Sequence, residues 1–245
     1  MRTPVLLLLA ASAALSQQQQ PSIPYTLRPM YDLVNDYGNT RRYAAENQKL
    51  APPAAGESRV VFMGDSITDA WGRGGFASTA PFFPGKPYVN RGISGQVTAQ
   101  MLLRFYPDVI ALHPKAVLFL AGTNDIGGNI GPVSDESIEN NLMAMADMAR
   151  ANGIRVILAS ILPVCDYHRP QTAQRPPERI LAINRWLKDY AAQNRFVYLD
   201  YFSATVDDKG FFKAELTNDG LHPNAAGYAV MAPLAEKAIA EALGR

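Results

Sequence analysis

Five apolar segments of strand length, separated by segments with helical periodicity, restrict the folds that this chain can adopt. The segments span 59–64, 86–92, 116–122, 154–162 and 196–201. Runs such as VVFM and AVLFLA have no polar face. Strands of this kind are covered on both sides, as in a parallel sheet between two layers of helices. The alternation of strands and helices therefore predicts an α/β fold with a doubly wound parallel sheet and right-handed crossovers.

The segments between the strands carry apolar residues at the spacing of one helix face. The predicted helices cover 97–106, 135–151, 178–193 and 224–243. Ser134 fits the N-cap of the second helix, and Gly153 fits its stop. Ahead of the first strand, 31–50 is predicted to contain a further helix that packs on the domain.

The N-terminus predicts export from the cytoplasm. Met1 and Arg2 precede a short run of Leu and Ala that ends in small residues, which is typical of a cleaved signal peptide. The run is shorter than the roughly 20 residues of a membrane span, and an uncleaved anchor is the alternative. We therefore divide the chain into a signal peptide at 1–16, a lead-in segment at 17–57 and a domain at 58–245. The predicted location is periplasmic or secreted, without stable membrane insertion.

Charge and cysteine content exclude several function classes. The chain has 23 basic and 22 acidic residues, for a net charge of +1. This balance and the absence of a dense basic cluster argue against a nucleic-acid partner. The single cysteine, Cys165, is interpreted as a small buried hydrophobe rather than a nucleophile. The histidines His113, His168 and His222 are scattered without metal-ligand spacing, so no metal and no cofactor are expected.

Polar residues and glycines follow the ends of the predicted strands. Three such segments, 64–66, 90–95 and 122–125, come at the ends of the first three strands. The fourth, 219–224, follows the fifth strand after a longer connecting stretch. Ligands of open parallel sheets bind beyond the carboxyl ends of the strands. These four segments are therefore expected to meet at one rim of the sheet and to contain the functional site.

Three of the residues at that rim have the chemistry of nucleophilic catalysis. A serine hydroxyl needs an adjacent base, and that base needs a third group that holds its tautomer. Ser66 lies at a glycine-led turn behind the first strand, and His222 lies three residues after Asp219. This short spacing can bring the Asp219 carboxylate to one ring nitrogen of His222 while the other nitrogen faces Ser66. The alternative for Ser66 is that it only caps a helix.

An oxyanion formed by attack on an ester needs donors that are placed in advance. The Asn124 side-chain amide and the Gly95 backbone amide are the candidates. The alternative for Asn124 is a turn residue that tolerates an unusual backbone conformation.

Four further polar residues, three of them within these segments, have structural or substrate-binding alternatives. Asp65 and Asp125 are interpreted as hydrogen-bond acceptors that hold the loops of Ser66 and Asn124, rather than as catalytic acids. His168 and Arg91 either contact substrate or serve the structure, and both alternatives stay open.

Four short blocks give the chain a family resemblance. They read GDSIT at 64–68, RGISGQ at 91–96, GTND at 122–125 and DGLHPN at 219–224. In this order, the blocks resemble those of the SGNH hydrolases, also called GDSL-type esterases or lipases. The only departure is Ile67, where the family name has Leu, and it exchanges one aliphatic residue for another.

The resemblance implies a flavodoxin-like three-layer α/β/α sandwich with a five-stranded parallel sheet, and no cofactor. It implies that Ser66 is the nucleophile, His222 the base and Asp219 the carboxylate that orients the base. It also implies an oxyanion hole of the Ser66 amide, the Gly95 amide and the Asn124 side chain.

The expected substrate is a small-molecule or glycan ester with a short acyl group, such as acetyl, on a carbohydrate or another small polar scaffold. Several aromatic residues are candidates for stacking on sugar rings, with packing in the core or in loops as the alternative: Trp71, Phe76, Phe82, Phe83 and Tyr167. The alternatives are a lysophospholipase-like lipid esterase, an acyltransferase and a non-catalytic carbohydrate-binding module on the same fold.

The oxyanion assignment of Asn124 predicts the effect of its removal. Asn124→Ala should lower the turnover of an ester by about a hundredfold, because a developing negative charge loses a donor placed in advance. Steady-state kinetics with 4-nitrophenyl acetate would measure the change. Unchanged turnover would mean that Asn124 is not an oxyanion donor.

Overall fold

The computed structural model describes residues 30, 34–74 and 80–244, and its centre is one parallel sheet. The strands are β1 Val60–Gly64, β2 Tyr88–Gly92, β3 Ala116–Leu120, β4 Arg155–Ala159 and β5 Val197–Leu199. All pairs are parallel, and the spatial order is β2-β1-β3-β4-β5. This confirms the predicted α/β fold. The order reverses between β1 and β3, where doubly wound sheets bind their ligands.

Helices cover both faces of the sheet. They are α1 Ala44–Lys49, α2 Ser66–Asp69, α3 Thr98–Asp108, α4 Thr123–Ile126, α5 Asp135–Ala151, α6 Pro177–Asn194, α7 Tyr201–Thr205 and α8 Ala225–Ala242. The predicted bounds of α5 are confirmed, and the Ser134 side chain caps it by accepting a hydrogen bond from Ser137 N. Helix α6 extends the prediction by one residue at each end, and α8 shortens it by one at each end.

Alternate residues of the central strands pack into two separate cores. Val61, Met63 and Val117 face a core shared with α3, α5 and α6. Phe62 and Leu118 face the opposite core, which α8 and the start of α2 complete. The burial of both strand faces explains why the strand segments lacked an alternating polar pattern. It also makes the molecule a three-layer α/β/α sandwich.

The prediction that 31–50 contains a helix is confirmed by α1 at Ala44–Lys49, which occupies only part of that range. Turns occupy most of 36–43, between helical residues at 34–35 and α1. The Asp36 carboxylate accepts hydrogen bonds from Thr40 N at 2.8 Å and Arg41 N at 3.2 Å. Such local bonds from a side chain to the backbone compete with helix formation. Residues 31–33 and the predicted signal peptide at 1–16 lie outside the described residues.

The described part of the lead-in segment packs on the domain. Tyr43 is fully buried, and its hydroxyl donates to the carbonyl oxygen of Gly92 at the end of β2. The Arg91 guanidinium lies 4.6 Å from the centre of the Tyr43 ring, and its Nε and Nη2 donate to Asn47 Oδ1. These contacts attach the segment to the strand that precedes the RGISGQ block.

Within the ranges 34–74 and 80–244, no helix combines the length and the hydropathy that crossing a bilayer requires.

A buried ion pair connects α3 to the loops at the carboxyl ends of β1 and β2. Arg104 and Asp108 are fully buried and lie 3.1 Å apart. Arg104 also donates to Gln96 Oε1 at 2.5 Å, to Arg91 O at 2.8 Å and to Gly64 O at 3.2 Å. One guanidinium therefore holds the two chain segments that lead into the first two sequence blocks.

The buried pair predicts a large difference between two arginine substitutions. Arg104→Met should lower the free energy of unfolding by about 3–5 kcal/mol, because it leaves the buried Asp108 carboxylate without the cation that pairs with it and with only the neutral Asn47 Nδ2 as a described side-chain donor. Arg150→Met should cost less than about 1 kcal/mol, because the Arg150–Asp147 pair is exposed. Urea denaturation would compare the two variants. Equal effects would contradict the role given to Arg104.

Candidate active site

Ser66 is the first residue of α2 and directly follows the loop that ends β1. The N-cap of α2 is Asp65, whose Oδ1 accepts a hydrogen bond from Ile67 N at 2.9 Å. The alternative in which Ser66 only caps this helix is therefore wrong. The Ser66 hydroxyl is directed instead at a residue 156 positions later in the chain.

That residue is His222. The distance from Ser66 Oγ to His222 Nε2 is 2.9 Å, and the distance from His222 Nδ1 to Asp219 Oδ2 is 2.6 Å. A carboxylate at Nδ1 favours the tautomer with the proton on that nitrogen, so Nε2 is left as the acceptor for the serine hydroxyl. The structure thus brings Ser66, His222 and Asp219 into one hydrogen-bonded chain.

The Asp219 carboxylate is held in its ionised form. Partial burial opposes ionisation, but hydrogen bonds from the His222 ring, His222 N and Leu221 N outweigh it and lower the pKa of Asp219. The two backbone bonds, to Oδ1, measure 2.8 Å from His222 N and 3.0 Å from Leu221 N. They leave Oδ2 directed at the imidazole.

Gly220 permits the tight turn between Asp219 and His222. Its φ is +83°, and a Cβ at this position would fall 2.2 Å from the carbonyl oxygen of Cys165. Cys165 N donates to the carbonyl oxygen of Gly220, and the Cys165 side chain is fully buried. The cysteine therefore has the packing role expected from the sequence.

Gly95 and Asn124 lie on two loops that hydrogen bonds connect. The Asn124 Nδ2 donates to Gln96 O at 3.0 Å. Asn129 donates through Nδ2 to Gly95 O at 3.1 Å and through its backbone N to Asn124 O at 3.0 Å. Asn124 belongs to α4 and is absent from the residues with positive φ, so the unusual-backbone alternative is wrong.

The two aspartates beside the blocks accept hydrogen bonds from loops, as predicted. Asp125 accepts from Thr98 N at 3.0 Å and from Thr98 Oγ1 at 2.6 Å, and burial raises its pKa. Asp65 accepts from Ile67 N, and its Oδ2 is buried with no hydrogen-bond partner in the described part of the chain. Burial raises the pKa of Asp65 to about 6.

Two residues of the loop between β4 and α6 contact this site without belonging to any of the four blocks. Gln171 Nε2 donates to Asp219 O at 3.1 Å. Arg175 is buried and donates through Nε to Thr123 O at 3.2 Å. The segment QTAQRPPER, which contains Gln171 and Arg175, has no recognisable catalytic pattern. The sequence indicated these residues only by placing them after the carboxyl end of the fourth predicted strand.

Two other candidates, His168 and Arg91, make contacts with groups outside the triad. The Nε2 of the exposed His168 lies 3.0 Å from Ala214 O. Arg91 is buried, and its guanidinium is engaged by Asn47, Tyr43 and the backbone of Asn90. Their described contacts are thus structural.

Most of the aromatic residues expected near a sugar pack inside the protein. Trp71 and Phe83 are buried and, with the partly buried Phe82, contact the Phe62 ring. These ring contacts favour the packing alternative for all three residues. Tyr167 is exposed and bonds to Asp207, whereas Phe76 lies outside the described residues. No group of three or more metal-ligating side chains occurs within the described ranges.

A family profile covers most of the chain. Residues 62–230 match the GDSL-like Lipase/Acylhydrolase family. A solved structure of a GDSL-like lipase from Bacteroides thetaiotaomicron is 39% identical, with a TM-score of 0.77 over 84% of this chain and 99% of that chain.

Curated relatives are more distant. Esterase TesA of Pseudomonas aeruginosa is 29% identical over 72% of this chain and 85% of its own length. An acetylxylan esterase of Geobacillus stearothermophilus is 23% identical over 71% and 90%. The lipoprotein YqeF of Bacillus subtilis is 30% identical, and the match spans 52% of this chain and 57% of that lipoprotein.

The buried Asp65 predicts a pH dependence of stability. Between pH about 4 and about 6 the folded protein retains the Asp65 proton while the unfolded chain releases it, so the free energy of unfolding falls as the pH rises. A pKa raised from 3.8 to about 6 corresponds to about 3 kcal/mol. Asp65→Asn keeps an acceptor for Ile67 N but has no carboxyl group that titrates in this range. The free energy of unfolding of Asp65→Asn minus that of wild type should therefore increase by about 3 kcal/mol between pH 4 and pH 7.

Denaturant unfolding of both proteins across this pH range would measure the difference, with the exposed Asp147→Asn as the matched control. Parallel stability curves for wild type and Asp65→Asn would contradict the prediction.

Proposed function

Because this chain belongs to the GDSL-like lipase/acylhydrolase family, we propose that it is a serine esterase that cleaves carboxylic esters through an acyl-enzyme. The observation that carries the proposal is the continuous chain of contacts from Ser66 Oγ to His222 Nε2 and from His222 Nδ1 to Asp219, at 2.9 and 2.6 Å. These lengths lie within the range required for a nucleophile, its base and the group that orients the base.

The proposed reaction has two halves. In the first, Ser66 Oγ attacks the ester carbonyl as His222 Nε2 takes the hydroxyl proton, and His222 then returns that proton to the leaving alcohol. In the second, water gives a proton to His222 Nε2 as its oxygen attacks the acyl carbonyl. His222 then returns the proton to Ser66 Oγ as the acyl–oxygen bond breaks, which releases the carboxylic acid and restores Ser66. Asp219 stays ionised throughout and stabilises the imidazolium, in line with its lowered pKa.

The proposed oxyanion donors are the Ser66 amide, the Gly95 amide and the Asn124 side chain. The first N–H groups of a helix have no partner within the helix, and Ser66 is the first residue of α2. An amide nitrogen such as Asn124 Nδ2 has two hydrogens. The bond to Gln96 O uses one of them and holds the side chain in place, so the other is free to donate to an oxyanion.

We further propose that the ester carries a short acyl group, such as acetyl, on a carbohydrate or another small polar scaffold. The likeness to an acetylxylan esterase supports this substrate class. The binding-module alternative is disfavoured because binding alone requires no bond between Ser66 and His222. The predicted location outside the cytoplasm also stays a proposal, and it is compatible with the likeness to a lipoprotein.

The nucleophile assignment predicts the outcome of one serine substitution. Ser66→Ala should lose at least roughly 10⁴-fold in kcat on 4-nitrophenyl acetate, because no other group replaces the attacking oxygen. Ser203→Ala is the matched control, since its exposed hydroxyl bonds only to the nearby Asp200 in the described structure. It should retain wild-type activity.

The same assay with butyrate, octanoate and palmitate esters would test the acyl preference. Activity that falls with chain length would support the short-acyl proposal, and a maximum at octanoate or palmitate would favour the lipid esterase instead. Equal activity of Ser66→Ala and wild type would refute the nucleophile.

A further inference from the structure

A pocket of about 700 Å³ lies between the lead-in segment and the loop that carries Gly95. Its walls come from the turn at 36–41, the loop at 93–96, helix α3 and the segment 129–130. The lining residues are Asp36, Tyr37, Asn39, Arg41, Ile93, Ser94, Gly95, Gln96, Gln100, Asn129 and Ile130. This volume lies within the roughly 300–1,000 Å³ of small-molecule sites and far exceeds what an acetyl group fills.

The pocket adjoins the proposed oxyanion donors. Gly95 lines it directly, and Asn129 joins Gly95 to Asn124 through the two hydrogen bonds described above. Burial and the charge of Asp125 both raise the pKa of Tyr37, so the phenol lies within electrostatic range of the GTND block. A substrate whose ester group binds at Gly95 and Asn124 can therefore extend into this pocket.

The wall formed by the lead-in segment is held in place. Gln96 Nε2 donates to Gly38 O at 2.9 Å, and Gln100 Nε2 donates to Tyr37 O at 2.9 Å. A Cβ on Gly38 would fall 2.8 Å from the Cβ of Leu103, so the turn packs closely on α3. The two glutamine side chains donate to backbone oxygens of Gly38 and Tyr37. They therefore hold the turn without using the Tyr37 side chain, which stays available to a ligand.

The lining combines an aromatic ring with neutral hydrogen-bonding groups. Asn39 and Asn129 supply amide groups to the lining that also contains Tyr37, and the Ser94 hydroxyl in the same lining donates to Asp69 Oδ2 at 2.7 Å. The lining charges among the described residues are Asp36 and Arg41, which pair with each other at 3.2 Å. Ile93 and Ile130 add apolar surface to the lining, and an ionic headgroup would compete with an existing ion pair. A neutral polyhydroxylated molecule satisfies both the ring and the polar groups.

We propose that this pocket binds the carbohydrate part of the substrate, with Tyr37 as the stacking surface, and that the lead-in segment thereby selects the substrate class. The proposal rests on the proposed esterase function only for the placement of the ester at Ser66. It assigns a binding role to a segment that lies outside the four sequence blocks.

Two tyrosine substitutions test the pocket. Tyr37→Ala removes the ring, and Tyr37→Phe keeps it. The exposed Tyr106→Ala is the control, because Tyr106 lies beside His113 and Pro114 at the opposite end of the sheet. The ratio of kcat/KM for acetylated xylotriose to kcat/KM for 4-nitrophenyl acetate should fall about tenfold in Tyr37→Ala. The ratio should stay near wild type in Tyr37→Phe and Tyr106→Ala.

Calorimetry separates binding from catalysis. In a Ser66→Ala background, the Kd of acetylated xylotriose should rise about tenfold when Tyr37→Ala is added. If the protein with Ser66 intact hydrolysed no ester, the proposed function would be refuted. The tenfold rise in Kd would still support the pocket proposal in that case.

Three results would overturn the pocket proposal. One is an equal loss on both substrates in Tyr37→Ala, and another is an unchanged Kd or no binding of acetylated xylotriose. The third is a Tyr37-dependent affinity for lysophosphatidylcholine that exceeds the affinity for the sugar ester, because that would assign the pocket to a lipid.

Discussion

The parallel alignment of five strands is the constraint on which the other features of this structure depend. It places the carboxyl ends of the strands at one rim, so loops that are far apart in the chain meet there. Ser66 and His222 are separated by 156 positions and lie 2.9 Å apart. Because both faces of the sheet are covered by helices, this rim stays the place where polar side chains can gather without entering the core.

Buried polar groups fix the rim loops at a cost that the protein offsets with hydrogen bonds. Arg104 donates to the backbone of Gly64 and Arg91 and to the side chain of Gln96. Gln96 in turn accepts from Asn124 through its backbone and donates to Gly38 through its side chain. One connected network therefore joins α3, the proposed oxyanion residues and the lead-in segment, which suits a site that must be ordered before substrate binds.

Sequence reasoning succeeded where a residue's role follows from local pattern. Continuous apolar runs located the strands, and Ser134 located the start of α5. It left open features that particular side-chain contacts decide. A helix was predicted within 31–50 without bounds, and the bonds from Asp36 to the following backbone form a turn ahead of α1. For Trp71 the sequence left sugar stacking and core packing open, and contacts with the Phe62 and Phe83 rings favour core packing. Arg175 had no motif that could identify it.

The sequence by itself determined the α/β class, the order of the blocks and the identity of the three residues that form the hydrogen-bonded chain. These follow from short-range properties: apolar periodicity, glycine-led turns and the three-residue spacing of Asp219 and His222. Only the tertiary structure decided that the turn at 36–41 becomes a wall beside Gly95, because that position depends on bonds from Gln96 and Gln100 to a segment about 60 residues earlier in the chain. Contacts over such distances have no signature in local sequence, since they depend on how separate elements pack in space.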